Sequence, residues 1–279
     1  MKSFHGKVAA ISGAGSGIGR QLALLLAQQG CHLSLSDIDQ QGLAQTKALL
    51  ANAEIKVSTQ LVDVAEREQV QYWAEQTMRE HGQINLIFNN AGVALASTVE
   101  GASYEDLNWI TNINFWGVVY GTKEFMPYIK QTRDGYIINI SSVFGLTAQP
   151  TQSAYNASKF AVRGFTESLR QELDIQRCGV SALCVHPGGI RTNIARSARS
   201  NQSLKTLGIE TDGNQQDFEK LLRTPPEHAA RKILRAIQKN QRRLLIGTDA
   251  KIMDLLQRIF PSGYQQLSVW LNRLQTWKH

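Results

Sequence analysis

The sequence predicts a single doubly wound α/β unit, three layers deep around a seven-stranded parallel sheet, with a C-terminal helical extension. Three observations carry that prediction. Strand-length apolar runs alternate with helix-length periodic segments along the chain. Several runs are apolar on consecutive residues, which suits strands covered on both faces. A glycine-rich turn follows the first run directly and opens a helical segment. At 279 residues and 42% apolar content, the chain fits one large domain better than two small ones.

Taken in order, Val8–Ser12 reads as the first strand, with the turn Gly13-Ala-Gly-Ser-Gly17-Ile-Gly19 behind it and a helix over Ile18–Gln29. His32–Ser36, Ile55–Val62, Ile84–Asn89, Tyr136–Ser141, Ser181–Val185 and Leu244–Ile246 read as the remaining strands. Helical spacing runs over Gln40–Ala51, Glu66–Glu80, Tyr104–Lys130, Ala154–Arg177 and Glu227–Asn240. Strand, helix, strand repeated in this way calls for right-handed crossovers. The polar segment 190–226, closed by Pro225-Pro226, breaks the rhythm. A long connection after a strand C-terminus is expected to be a substrate lid. Residues 1–248 are thus expected to form the catalytic unit and 249–279 a basic amphipathic tail.

Cys31, Cys178 and Cys184 form no CxxC pair and are odd in number, so neither a disulfide framework nor a metal site is expected. The N-terminus lacks a signal-peptide pattern and no run reaches spanning length, which together predict a cytoplasmic protein. The net charge of +7 is uneven. From Arg223 onward eleven Lys and Arg face three acidic residues, whereas the first 222 residues hold 19 basic and 20 acidic ones. A nucleic-acid binder spreads its charge along a groove, so that partner is not expected.

The glycine turn has the chemistry of a phosphate cradle. Its backbone bends tightly, and the helix behind it offers free N–H groups and a positive dipole end. Asp37 ends the second strand twenty-four residues after Gly13, where a carboxylate accepts from adenosine ribose hydroxyls and repels a 2′-phosphate. Position 16, just before Gly17, is Ser, and no Lys or Arg lies in the turn or in 36–41; NAD is therefore expected over NADP. Asp39 is the better helix cap. Tyr155 and Lys159, at i and i+4, share a helix face, with Ser142 thirteen residues upstream of Tyr155. A phenol titrates near about 10, and a neighbouring ammonium and a positive nicotinamide ring are expected to lower that. Tyr155 then serves as general acid or base on a hydroxyl or carbonyl, with Ser142 donating to the substrate oxygen. His186 precedes Pro187 without an acid partner and is expected to carry no chemistry; Cys184 is expected in the core.

These residues resemble the classical short-chain dehydrogenase/reductase family, whose fold is Rossmann-type. The resemblance runs from about Lys7 to Thr192. It rests on Ser-Gly-x3-Gly-Ile-Gly at 12–19, Asp63-Val64, Asn89-Asn90-Ala91-Gly92, Asn114, Ser142, Tyr155-x3-Lys159 and Pro187-Gly188-x3-Thr192. Ser12 stands where the family usually has Thr, and a hydroxyl is kept. The resemblance implies a cofactor site of Gly13, Ser16, Gly17, Ile18 and Gly19 with Asp37. Asp63 and Val64 would meet the adenine, and Asn90, Ala91 and Gly92 would line the trough. The stretch from Pro187 and Gly188 through Ile190 to Thr192 would hold the nicotinamide side. It further implies that Lys159 bonds the nicotinamide ribose and that Asn114 anchors a water linking Lys159 to solvent. It implies a homodimer or homotetramer packed through the central helices, with Phe115 and Trp116 serving that contact.

Two amphipathic patterns end the chain. One holds Ile252, Met253, Leu255, Leu256, Ile259 and Phe260; the other holds Leu267, Trp270, Leu271 and Leu274, with Val269 and Trp277 beside them. They are expected either to pack on the fold or a second subunit, or to lie on a membrane surface. With the lid, they point to a small hydrophobic alcohol or ketone, steroid-, retinoid- or fatty-chain-like. Two alternatives remain at this stage: a fatty acyl-CoA or other acyl-thioester reductase whose basic tail meets an acidic carrier, and a non-catalytic dinucleotide sensor or scaffold. The second predicts a damaged proton relay, and here all four polar groups are present.

Overall fold

A computed structural model describes residues 1–194, 197–209 and 224–276. Alternation of period two, with both phases apolar, builds the three layers. In β1 (Val8–Ser12), Ala9 and Ile11 face one hydrophobic cluster and Ala10 faces the other. The same division holds in β4 (Leu86–Asn89), where Leu86 and Phe88 oppose Ile87, and in β6 (Gly135–Ile140), where Ile138 and Ile140 oppose Ile137. One cluster is closed by α1 (Gly17–Ala27), α2 (Gln40–Leu49) and α7 (Pro226–Gln238). The other is closed by α3 (Arg67–His81), α5 (Gly117–Gln131) and α6 (Ser153–Gln176). Neither face of the central strands meets water, so alternation in polarity is absent.

With β2 (His32–Asp37), β3 (Val57–Leu61), β7 (Val180–Pro187) and β9 (Arg243–Ile246), the sheet has seven parallel strands in the order β3-β2-β1-β4-β6-β7-β9. The order reverses between β1 and β4, and all C-terminal ends share one edge. That edge carries Ser12, Asp37, Asn89, Ser142 and Pro187 at or just beyond their strands. Doubly wound sheets bind ligands in this crevice.

Three differences from the sequence expectation matter. The helix expected over Tyr104–Lys130 begins as α4 (Tyr104–Thr111) and passes through a π-helical segment at Asn112–Trp116 before α5. Two-residue strands, β5 (Leu95–Ala96) and β8 (Arg199–Ser200), pair beside the main sheet. The expected lid is only partly covered: 195–196 and 210–223 lie outside the described residues. Its described portion is pinned, not a bare connection. Leu204 is buried in a 3₁₀ turn at Gln202–Leu207, Ser203 accepts from the Thr98 N–H at 3.1 Å, and the Arg199 guanidinium stacks over Trp109 at 3.7 Å. The tail forms α8 (Thr248–Ile259) and α9 (Gly263–Thr276).

Candidate active site

The glycine turn is locked to the end of β4. The Ser12 hydroxyl accepts from the N–H groups of Asn90 and Ala91, at 3.0 and 3.1 Å. The Asn90 amide donates back to the carbonyls of Ser12 and Gly13. A Cβ on Gly19 would overlap the Gly13 carbonyl, and one on Gly13 would fall 2.9 Å from the Ala91 Cα, so both positions require glycine. Ser16 sits at the N-cap of α1 in an extended conformation, and its side chain makes no capping bond. Ile18 turns its side chain into the core, leaving its backbone at the helix start. The first N–H groups of a helix have no intrahelical acceptor, so this cradle fits a pyrophosphate. Thr192 faces it, its methyl 3.1 Å from where a Gly17 Cβ would stand.

Asp37 lies at the end of β2. One carboxylate oxygen accepts from the Gly15 N–H at 2.7 Å and the other from the Asp39 N–H at 2.9 Å, while Asp39 caps α2 through Gln41. Sequence reasoning missed a cation here. Arg20, from the first turns of α1, reaches the carbonyls of Gly15 and Gly42 and the side chains of Thr46 and Gln45. Helical reach past the glycines, not proximity in sequence, brings it there. On the far side, Asp63 is half-buried and accepts from the Ala65 N–H, and Val64 packs against Gly117.

Ser142, Tyr155 and Lys159 converge at the edges of β6 and α6. The Ser142 hydroxyl accepts from the Phe144 N–H at 3.1 Å, and its side chain neighbours the Tyr155 phenol. Lys159 Nζ donates to the Ile140 carbonyl at 3.1 Å and lies 5.7 Å from the centre of the Tyr155 ring. The expected lowering of Tyr155 by the lysine is not what these groups show. Burial raises the phenol, and the neighbouring Ser142 side chain opposes that rise. Burial likewise pulls Lys159 down to about 8.

Asn114 sits in the π-helical segment, fully buried. Its amide is satisfied by Val93, accepting from the N–H at 2.8 Å and donating to the carbonyl at 2.9 Å, with Ser158 as a third partner. A Cβ on Gly92 would stand 3.1 Å from the Asn114 oxygen and 3.3 Å from Lys159 Nζ, so Gly92 lies between the two. His186 is fully buried, and its Nδ1 bonds the Ser142 carbonyl at 3.0 Å. Burial pulls the imidazole down to about 4, so it is neutral and its Nδ1–H donates. Burial pushes the thiols of Cys31 and Cys184 up to about 12, too high for nucleophilic use.

After Pro187, the Gly188 N–H donates to the Ile246 carbonyl and the Gly189 N–H to the Asp249 carboxylate at 2.6 Å. Ile190 is buried and bridges Thr224. Asp249, at the start of α8, is a second neighbour that sequence spacing did not point to. A hollow lined by Gly135, Tyr136, Asp174 and Arg177 opens at the opposite sheet edge, remote from these groups.

Comparison with known proteins agrees with this fold. A sequence profile of the short chain dehydrogenase family matches residues 7–203. The chain is 46% identical over 272 residues to a Mycobacterium tuberculosis protein named as an oxidoreductase, SadH, covering 96% of this chain and 95% of the relative. It is 27% identical over 264 residues to estradiol 17-beta-dehydrogenase 11 of Rattus norvegicus, covering 94% and 83%. The crystal structure of a short chain dehydrogenase/reductase from Burkholderia phymatum in complex with NAD matches with a TM-score of 0.85 at 29% identity, covering 92% and 95%. The class of protein is therefore an oxidoreductase built on a Rossmann-type sheet. Within that class, the chain belongs to the short-chain dehydrogenase family.

Proposed function

We propose that the protein is an NAD-dependent dehydrogenase or reductase of hydrophobic alcohols or ketones, with Tyr155 moving the proton at the substrate oxygen. The observation that carries this reading is the convergence of Ser142, Tyr155 and Lys159, with Lys159 Nζ 5.7 Å from the centre of the Tyr155 ring, at the strand edge that also holds the glycine cradle. When bound, NAD supplies the hydride acceptor or donor and, in oxidised form, a positive ring. Gly13, Ser16, Gly17, Ile18 and Gly19 would hold its pyrophosphate, and Asp37 its adenosine ribose. Asp63 and Val64 would border the adenine. Asn90, Ala91 and Gly92, with Pro187, Gly188, Ile190 and Thr192, would enclose the remainder.

The remaining chemistry belongs to the chain. A phenol raised by burial is protonated at neutral pH, which suits Tyr155 as general acid on a carbonyl; oxidation runs the same proton transfer backwards. Ser142, free to rotate its hydroxyl, would donate to the substrate oxygen and orient it. Lys159 keeps positive charge close to the phenol below about pH 8. Asn114 holds Val93 and Ser158 in place beside Lys159. The apolar cluster of Leu95, Ile110 and Ala154, against which Tyr155 packs, supports a lipophilic substrate. On this reading residues 1–248 form the catalytic unit and 249–279 an appendage on its rim.

The test is reduced-nicotinamide absorbance across a panel of secondary alcohols and ketones. Tyr155→Phe keeps the ring and removes the proton, and kcat should fall by about 10²–10⁴-fold. Turnover undiminished in that variant would remove Tyr155 from the reaction.

A further inference from the structure

The tail helices dock through polar groups and leave their apolar side chains outside. In α8, Ala250 and Asp254 are buried, and the Asp254 carboxylate pairs with Arg243 and Arg258. In α9, the buried Tyr264 takes the Ala148 N–H at 3.2 Å, and Ser268 donates to Gln149 at 2.9 Å. These contacts, with Asp249 on Gly189, tie the tail to the loops that follow Ser142 and Pro187. The other side of α8 shows Ile252, Leu255 and Ile259, at i, i+3 and i+7, each more than half exposed. Phe260, just after α8, and Leu267, Trp270 and Leu271 on α9 are also exposed.

Amphipathic helices ordinarily bury the apolar stripe, and an exposed stripe of this kind marks a contact surface. The charge around it selects the partner. Residues 249–276 contain no Glu, and both their Asp residues are tied to groups of the fold. Lys251 and Arg258 stand exposed on one flank of α8. The outward face is thus apolar, with exposed Lys251 and Arg258, the latter paired with Asp254, on one flank of α8 and exposed Asp249, bonded to the Gly189 N–H, at its start. Two copies meeting through it about a two-fold axis would gather the cations of both into one interface. An anionic bilayer complements both features, with Trp and Phe at the headgroup boundary and Lys and Arg against phosphate.

We propose that the outward face of α8 and α9 seats the protein on an anionic lipid surface, beside the rim of the candidate active site. The proposal concerns this surface and is independent of which substrate the site takes. It is tested by co-sedimentation of the full-length protein with phosphatidylcholine vesicles, with and without phosphatidylglycerol. Wild type should pellet with the anionic vesicles and be released by added salt. Leu255→Glu with Ile259→Glu should cut the bound fraction by about tenfold or more. Both positions face solvent, so melting temperature and turnover of a short water-soluble alcohol should stay at wild-type values. A milder pair, Leu255→Ser with Ile259→Ser, should weaken capture in the same direction. Wild type left in the supernatant would overturn the proposal. So would equal capture of the glutamate variant, or equal capture by vesicles of phosphatidylcholine alone. A change of oligomeric state in the variant, seen by light scattering, would assign the face to a second copy instead.

Discussion

At Lys159 two physical demands oppose each other. The amine has to sit beside Tyr155, which means burial, and burial favours the neutral form. Its partners are the Ile140 carbonyl and the face of the phenol ring, with no carboxylate, and the group titrates at about 8. Below that pH the amine is charged; above it the charge is lost. For carbonyl reduction, kcat/KM should therefore hold level through neutrality and fall as pH rises through about 8, because that ratio reports the groups of the free enzyme. Lys159→Arg keeps a charge to far higher pH and should shift the alkaline limb upward, even with a lower plateau. An initial-rate profile settles the point, and a limb that stays at the same pH in the arginine variant belongs to another residue. His186 teaches the complementary lesson. Its partner is a backbone carbonyl, that of Ser142, forty-four residues away in sequence. Side-chain patterns cannot show such a bond, so the sequence suggested only that His186 carries no chemistry.

Among elements, those with a strong period were legible and those defined by one or two backbone bonds were not. The consecutive apolar runs of β1, β4 and β6 announce strands buried on both faces, and each cluster they form is real. The π-helical turn at Asn112–Trp116 is invisible to periodicity because helix continues on both sides of it. Such turns recur at functional sites, and here the turn carries Asn114 against Val93 and Ser158. The pairing of Leu95–Ala96 with Arg199–Ser200 is too short to leave a pattern. The contact of Asp249 with Gly189 was hidden for another reason. It joins a loop to a helix start sixty residues later, and nothing in either segment alone predicts it. That bond holds the chain just after Pro187. Asp249→Ala should leave the Gly189 N–H without its acceptor, at a cost of about 1 kcal/mol in stability. Because the loop lies on the expected cofactor wall, KM for NAD should rise several-fold while kcat changes little. Steady-state kinetics with varied NAD distinguish this from a fall in kcat alone, which would place the loop's effect on chemistry.

For the whole molecule, the fold could be read in advance, and the structure brings most polar groups of the candidate site to one sheet edge, as the family-like intervals in the chain order lead one to expect. Cofactor choice depends on how two opposite charges are arranged in space. Asp37 directs one oxygen to Gly15 and the other to Asp39, fixing a negative charge at the end of β2. Arg20 lies nearby, yet its guanidinium is committed to the carbonyls of Gly15 and Gly42 and to Thr46 and Gln45. A 2′-phosphate would meet the carboxylate with Arg20 already committed elsewhere. Selective binding stabilises the folded state by mass action, so NAD at a hundred times its Kd should add about 2.7 kcal/mol and raise Tm by roughly 5–10 °C. NADP at the same concentration should give a clearly smaller shift. Asp37→Ser removes the repelling charge, and the two shifts should then draw together or reverse. A thermal-melt series with both dinucleotides measures this without any substrate in hand. A larger shift with NADP on the wild-type protein would show that Arg20, not Asp37, governs the adenosine end of the crevice.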